Sequence, residues 1–114
     1  MPPGTVLDHS PARTGIYLSS PSVVRLGEHT LIAKGDEHGP GSTESTRART
    51  RLYRSEDDGR TWRRLNDLDA VYWASLFVHR GALWLLGTAR NNGPIVLRRS
   101  DDGGEAWSDP SRGV

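Results

Sequence analysis

The chemistry-bearing residues of this chain fall in a few short runs. Asp36, Glu37 and His38 stand side by side, and carboxylates beside an imidazole are the groups used for proton transfer. Tyr17, Tyr72 and Trp73 offer aromatic faces that can stack on sugars. Arg90, Asn91 and Asn92 offer donors for hydroxyls or a carboxylate. On residue type alone, Asp36-Glu37-His38 reads equally well as a solvated loop in which Gly39 ends a strand. These runs lie far apart in the chain, so a fold must gather them.

That fold is legible in an internal repeat. Arg51-Leu-Tyr-Arg-Ser-Glu-Asp-Asp-Gly-Arg-Thr-Trp62 recurs as Val96-Leu-Arg-Arg-Ser-Asp-Asp-Gly-Gly-Glu-Ala-Trp107, and Ser55 and Ser100 are 45 residues apart. A period of about 40–50 residues is that of a propeller blade. The text before each copy repeats too. Ser22–Leu26, a Gly27-Glu28-His29 turn and Thr30–Ala33 read as strand, turn, strand, as do Ala74–Val78, His79-Arg80-Gly81 and Ala82–Leu86. No stretch carries a sustained helical period. Four strands per repeat are expected, near 21–26, 30–35, 50–54 and 61–65, then near 74–79, 82–88, 95–99 and 105–108. The fold class is all-β, a partial β-propeller of two four-stranded antiparallel blades. The expected organisation is an entry segment 1–20, a first blade 21–65, a link 66–73, a second blade 74–108 and a tail 109–114.

The repeated motif closes the hairpin between the third and fourth strands of each blade. Asp57 and Asp102 can accept hydrogen bonds from turn amides, and Gly59 and Gly104 permit a positive φ. Ser55, Ser100 and Thr61 can add hydroxyl bonds, while Trp62 and Trp107 supply buried area. Ala106 replaces the threonine in the second copy, which is expected to lose one hydroxyl bond. A calcium loop would need alternating ligands over 12 residues ending in a glutamate, and neither copy has that spacing.

This Ser-x-Asp-x-Gly-x-(Thr/Ala)-Trp frame is the Asp box, or BNR repeat, and on it the chain resembles bacterial exo-α-sialidases (neuraminidases) and related propellers over roughly residues 14–110. The resemblance implies a six-bladed parent glycoside hydrolase that removes terminal sialic acid, or a related acidic sugar, with retention through a tyrosine intermediate. It makes Asp36 the candidate acid/base and implies no cofactor or metal. Ile16-Tyr17-Leu18-Ser19-Ser20-Pro21 stands where these enzymes carry Phe/Tyr-Arg-Ile-Pro, so the arginine that grips the sialate carboxylate is Leu or Ser here. The Tyr–Glu nucleophile pair and two further arginines belong to later blades in the family, and turnover by the chain alone is not expected. Asp boxes also occur in non-catalytic glycan- or protein-binding propellers. A third reading is a small lectin that closes a ring by self-association.

Strand alternation sorts the candidates by face. The motif turns lie at one end of each blade, so 36–49, 66–73, 88–94 and the entry segment 14–20 share the opposite end. Loops held by a rigid scaffold are where binding residues concentrate. Asp36, Glu37, His38, Tyr17, Tyr72, Trp73, Arg90 and Asn91 are accordingly expected there, while His29 and His79 are expected to be plain surface residues at the motif end.

Composition narrows the partners. In 114 residues, 15 basic against 14 acidic side chains give a net charge of +1, which excludes nucleic-acid or membrane-surface binding by bulk charge. There is no cysteine, hence no disulfide, thiolate or Cys-ligated zinc chemistry. No apolar run is long enough to span a membrane, and no signal peptide is visible; family members are often secreted or periplasmic. Two blades leave sheet faces and edges open. The expected partners are therefore a glycan and the remaining blades, supplied either in cis or by self-association, and the chain is expected to be a piece of a longer frame.

Overall fold

The computed structural model describes residues 3–43, 49–69, 71–90 and 92–112. It is all-β, with two antiparallel sheets stacked face to face. After a 3₁₀ turn at Ala12–Thr14, the strands are β1 (Tyr17–Arg25), β2 (Leu31–His38), β3 (Arg49–Ser55), β4 (Arg63–Arg64), β5 (Leu68–Asp69), β6 (Tyr72–His79), β7 (Ala82–Thr88), β8 (Ile95–Ser100) and β9 (Ser111–Arg112). The first sheet runs β1-β2-β3-β4, with β5 also on β3; the second runs β6-β7-β8-β9. Strand β1 lies against β6, so the two sheets meet as neighbouring blades.

Several strand limits differ from the sequence reading: β1 opens at Tyr17 and β6 at Tyr72, inside the expected entry segment and link. β2 does not stop at residue 35 but continues to His38, because Asp36 pairs with Thr50 and Glu37 with Arg49 on β3. The fourth edge of the second sheet is not at 105–108. The Ser108 amide donates to the Arg99 carbonyl at 2.8 Å, but ladder pairing comes later, with Ser111 and Arg112 opposite Leu97 and Val96. In the first sheet the fourth edge is split, Arg63–Arg64 and Leu68–Asp69 pairing with opposite ends of β3.

The repeated turns are built alike. In the first, the Ser55 hydroxyl donates to Asp57 Oδ1 at 2.8 Å and accepts the Gly59 amide at 2.8 Å. Asp57 in turn accepts the Thr61 amide at 2.8 Å and its hydroxyl at 2.6 Å. The Trp62 indole donates to the Gly59 carbonyl at 3.0 Å. In the second, Ser100 serves Asp102 and Gly104, Asp102 accepts the Ala106 amide, and the Trp107 indole donates to Gly104. Ala106 has no hydroxyl to offer. Gly59 and Gly104 sit at φ +84° and +95°, where only glycine is unstrained. The Thr61 hydroxyl, its amide and Ser55 hold the Asp57 carboxyl down to about 2; the Ala106 amide and Ser100 lower Asp102. His29 is more than a surface residue: its ring meets Asp58 at 2.7 Å and its carbonyl accepts the Asp58 amide, tying the β1–β2 turn to the repeated turn.

The core lies between the sheets. Ile32, Leu52, Leu65 and Leu68 from the first meet Val71, Ala74, Leu76, Leu83, Leu85 and Val96 from the second. Polar groups also cross the joint: the Leu76 amide donates to Ser22 Oγ and Arg54 donates to the Gly103 carbonyl. The far face of the first sheet is covered by the entry segment, where Asp8 accepts bonds from Arg51 and Tyr53. The far face of the second sheet is open, with Leu86 and Ile95 exposed and Phe77 stacked on Trp84 at 6.2 Å.

Candidate functional site

The end opposite the repeated turns gathers residues from three strands. Alternation along β2 points Ile32, Lys34, Asp36 and His38 toward the second sheet. Tyr17 pairs with His38 across β1–β2, and their rings stack at 6.1 Å. The Trp73 ring lies 5.8 Å from His38, tilted by 32°. Tyr17 and Trp73 are 65% and 53% exposed, so the three rings form an arc open to solvent. His38 Nε2 and Ser19 Oγ are buried beneath it and make no hydrogen bond among the described residues.

Under the arc lies a buried ion pair. The Lys34 ammonium and the Asp36 Oδ1 are 2.7 Å apart, with side chains 0% and 1% exposed. Lys34 spends its other two donors on the Ser20 carbonyl at 2.9 Å and the Ala74 carbonyl at 2.8 Å. Asp36 also accepts the Thr50 hydroxyl at 3.3 Å and the Trp73 amide at 3.2 Å. Burial pushes the Lys34 ammonium below its ordinary value, against the pull of Asp36. Each charge thus has a partner and added hydrogen bonds, as buried ions require.

The backbone at the arc is unusual. Strand pairing slips between Ser19 and Ser22 on β1 and between Tyr72 and Ser75 on β6. Ser22 faces Lys34 and Ser75 faces Leu86, which makes Ser20 and Trp73 equivalent, and likewise Lys34 with Leu86 and Asp36 with Thr88. Both bulge residues have positive φ, 49° at Ser20 and 52° at Trp73. Such a conformation costs a non-glycine residue about 1–3 kcal/mol and is concentrated at functional sites.

Several sequence candidates lie elsewhere. Asp36 is at the expected end but its carboxylate is sealed, and no oxygen of it faces solvent. Glu37 points to the far side of the sheet, where it takes the Arg51 guanidinium at 2.7 Å and helps hold the entry segment. Tyr72 is 3% exposed and presents no ring to a ligand. Arg90 is exposed in the turn after β7, whose ends are closed by Ala89 and Pro94, and Asn92 is also exposed; Asn91 lies outside the described residues. No group of three or more potential metal ligands occurs among the described residues. Lys34 is the residue the sequence reading passed over. Its signal was a lone lysine two positions before Asp36, directly after the apolar run Leu31-Ile32-Ala33.

No family model matches the chain, and the search of curated proteins found no match. Among solved structures, the fold is similar to that of Zg3597, a family 117 glycoside hydrolase produced by the marine bacterium Zobellia galactanivorans, with a TM-score of 0.69 at 16% sequence identity. The match covers 92% of this chain and 41% of that one. At that identity the likeness is one of fold: the two stacked sheets are an arrangement found within a glycoside hydrolase.

Proposed function

We propose that this chain is the N-terminal two-blade part of a sialidase-like, Asp-box glycosidase propeller, and that its arc of Tyr17, His38 and Trp73 binds a glycan. The observation that carries the reading is the arc itself, two exposed aromatic rings each packed on the same imidazole at the end away from the repeated turns. Aromatic faces bind the apolar faces of sugar rings, and an imidazole packed on them can exchange hydrogen bonds with hydroxyls. The repeated turn supports the Asp-box assignment, and the glycoside hydrolase fold neighbour supports a carbohydrate-active parent. The parent would remove a terminal sialic acid or a related acidic sugar.

One observation favours the second reading, a non-catalytic glycan-binding module. Asp36 is buried and ion-paired, so in this geometry it cannot deliver a proton to a glycosidic oxygen, which requires hydrogen-bond reach. Catalysis by Asp36 would require the Lys34 pair to open.

Calorimetric titration with 3′-sialyllactose and with lactose tests the shared core of both readings. Saturable binding of either, lost in Trp73→Ala, is the expected result. Absence of binding by a folded chain overturns it. A fluorogenic sialoside given to the isolated chain is expected to show no turnover under either reading, and hydrolysis proportional to its concentration would overturn both. Hydrolysis by a full-length parent separates the two, its absence there favouring the non-catalytic module.

A further inference from the structure

The buried Lys34–Asp36 pair has two contacts whose direction is telling. Asp36 Oδ2 takes the amide of Trp73, and Lys34 Nζ takes the carbonyl of Ala74. These are the backbone groups on either side of the bond that joins Trp73 to Ala74. They bracket the one exposed aromatic of β6 whose backbone is left-handed, at φ 52°. Lys34 also takes the carbonyl of Ser20, the left-handed residue at the equivalent bulge of β1. One ion pair on β2 therefore reaches both bulges beneath the arc.

We propose that Lys34 and Asp36 are positioning residues, a charged clamp that fixes the Trp73 ring in its ligand-binding pose. The inference rests on the arc being a glycan site. Its physical basis is that a left-handed tryptophan persists only where its surroundings over-determine it. The bulge removes normal ladder bonds at Trp73, and the clamp replaces them with bonds to charged groups, which are the stronger kind. The second sheet supplies the control. Its equivalent positions hold Leu86 and Thr88, which carry no charge.

That difference suggests the variant. Lys34→Leu with Asp36→Thr removes both charges together and leaves no lone buried ion. Lys34→Leu with Asp36→Asn retains a side-chain oxygen that can accept the Trp73 amide. The readouts are 3′-sialyllactose and lactose affinity, and the nitrogen–proton spectrum and hydrogen exchange of the Trp73 amide. The Leu/Thr variant is expected to stay folded, shift the Trp73 amide and bind about tenfold more weakly, as coupled neighbours do. The Leu/Asn variant is expected to recover most of that loss. A Leu/Thr variant that binds like the unaltered chain overturns the clamp while leaving the arc intact. If Trp73→Ala itself leaves binding unchanged, the arc reading fails instead. Should the double variants not fold, the unaltered chain still decides: a Trp73 amide that exchanges as fast as an open loop overturns the clamp, and strong protection supports it.

Discussion

The Trp73 amide and the Asp36 carboxylate meet at 3.2 Å across the joint between the two sheets. The aromatic is exposed, the acid is sealed, and the acid holds the aromatic's backbone. Trp73 should therefore be bound by its backbone and used by its ring. Trp73→Gly separates the two. Glycine adopts φ near +52° without strain, and the ring it removes is half exposed, so stability should change by less than about 1 kcal/mol. Glycan binding should disappear. Thermal unfolding and titration on the same sample check this, and a large loss of stability would contradict the assignment of strain to the backbone.

The two repeated turns differ at one hydroxyl. Ala106→Thr should rebuild in the second turn the bond that Thr61 makes to Asp57, and stabilise the chain by about 0.5–1 kcal/mol. Thr61→Ala should cost a similar amount. Ser55→Ala should cost more, about 1–3 kcal/mol, because the buried Ser55 oxygen accepts the Gly59 amide and nothing else replaces it. Denaturant midpoints for the three variants should fall in that order.

Acid should weaken both turns. The folded-state carboxyls of Asp57 and Asp102 are lowered by the hydrogen bonds they accept, so the unfolded chain takes up protons first. Their contribution is complete above the ordinary carboxyl value near pH 4 and is lost as pH falls toward about 2 for Asp57. Unfolding midpoints measured from pH 5 to 2 should drop through that window. Thr61→Ala should flatten the drop, since Thr61 supplies the largest part of the Asp57 shift.

Gly35 and Gly87 occupy equivalent positions on β2 and β7 but different surroundings. A Cβ on Gly87 would stand 2.5 Å from the Tyr72 carbonyl oxygen and 2.8 Å from Val71, whereas one on Gly35 would meet only the Ser19 carbonyl, at 3.6 Å. Gly35 lines a cavity of about 270 Å³ beneath the entry segment. Gly87→Ala should cost about 1–3 kcal/mol through overpacking, and Gly35→Ala close to nothing. Equal effects would mean that the joint repacks freely.

The parts legible in the sequence were those that repeat. Ser55 and Ser100, Asp57 and Asp102, Trp62 and Trp107 each make their contacts within a few residues, so spacing alone encodes the turn. The strand pairs around Gly27–His29 and Arg80–Gly81 were visible for the same reason. The buried pair was not. Asp36-Glu37-His38 reads equally well as a solvated loop because hydropathy assigns charged residues to water. Lys34 passes as an ordinary residue of the strand before it, and what keeps both ions dry is a second sheet some forty residues away. Glu37 and Tyr72 were misjudged by the same limit. Placing 36–38 at the right end of the blade did not reveal which face each side chain takes, and that required knowing that β2 runs on to His38.

The exchange of Lys34 and Asp36 for Leu86 and Thr88 at matching positions also makes the two sheets non-interchangeable. A neighbour seated on the first sheet must present a carbonyl and an amide where Ala74 and Trp73 present theirs, or strand two ions. One seated on the second faces Leu86, Ile95 and the Phe77–Trp84 stack, and is asked only for shape. The chain thus carries a keyed seam and an unkeyed one, and the keyed seam fixes which sheet can follow the first.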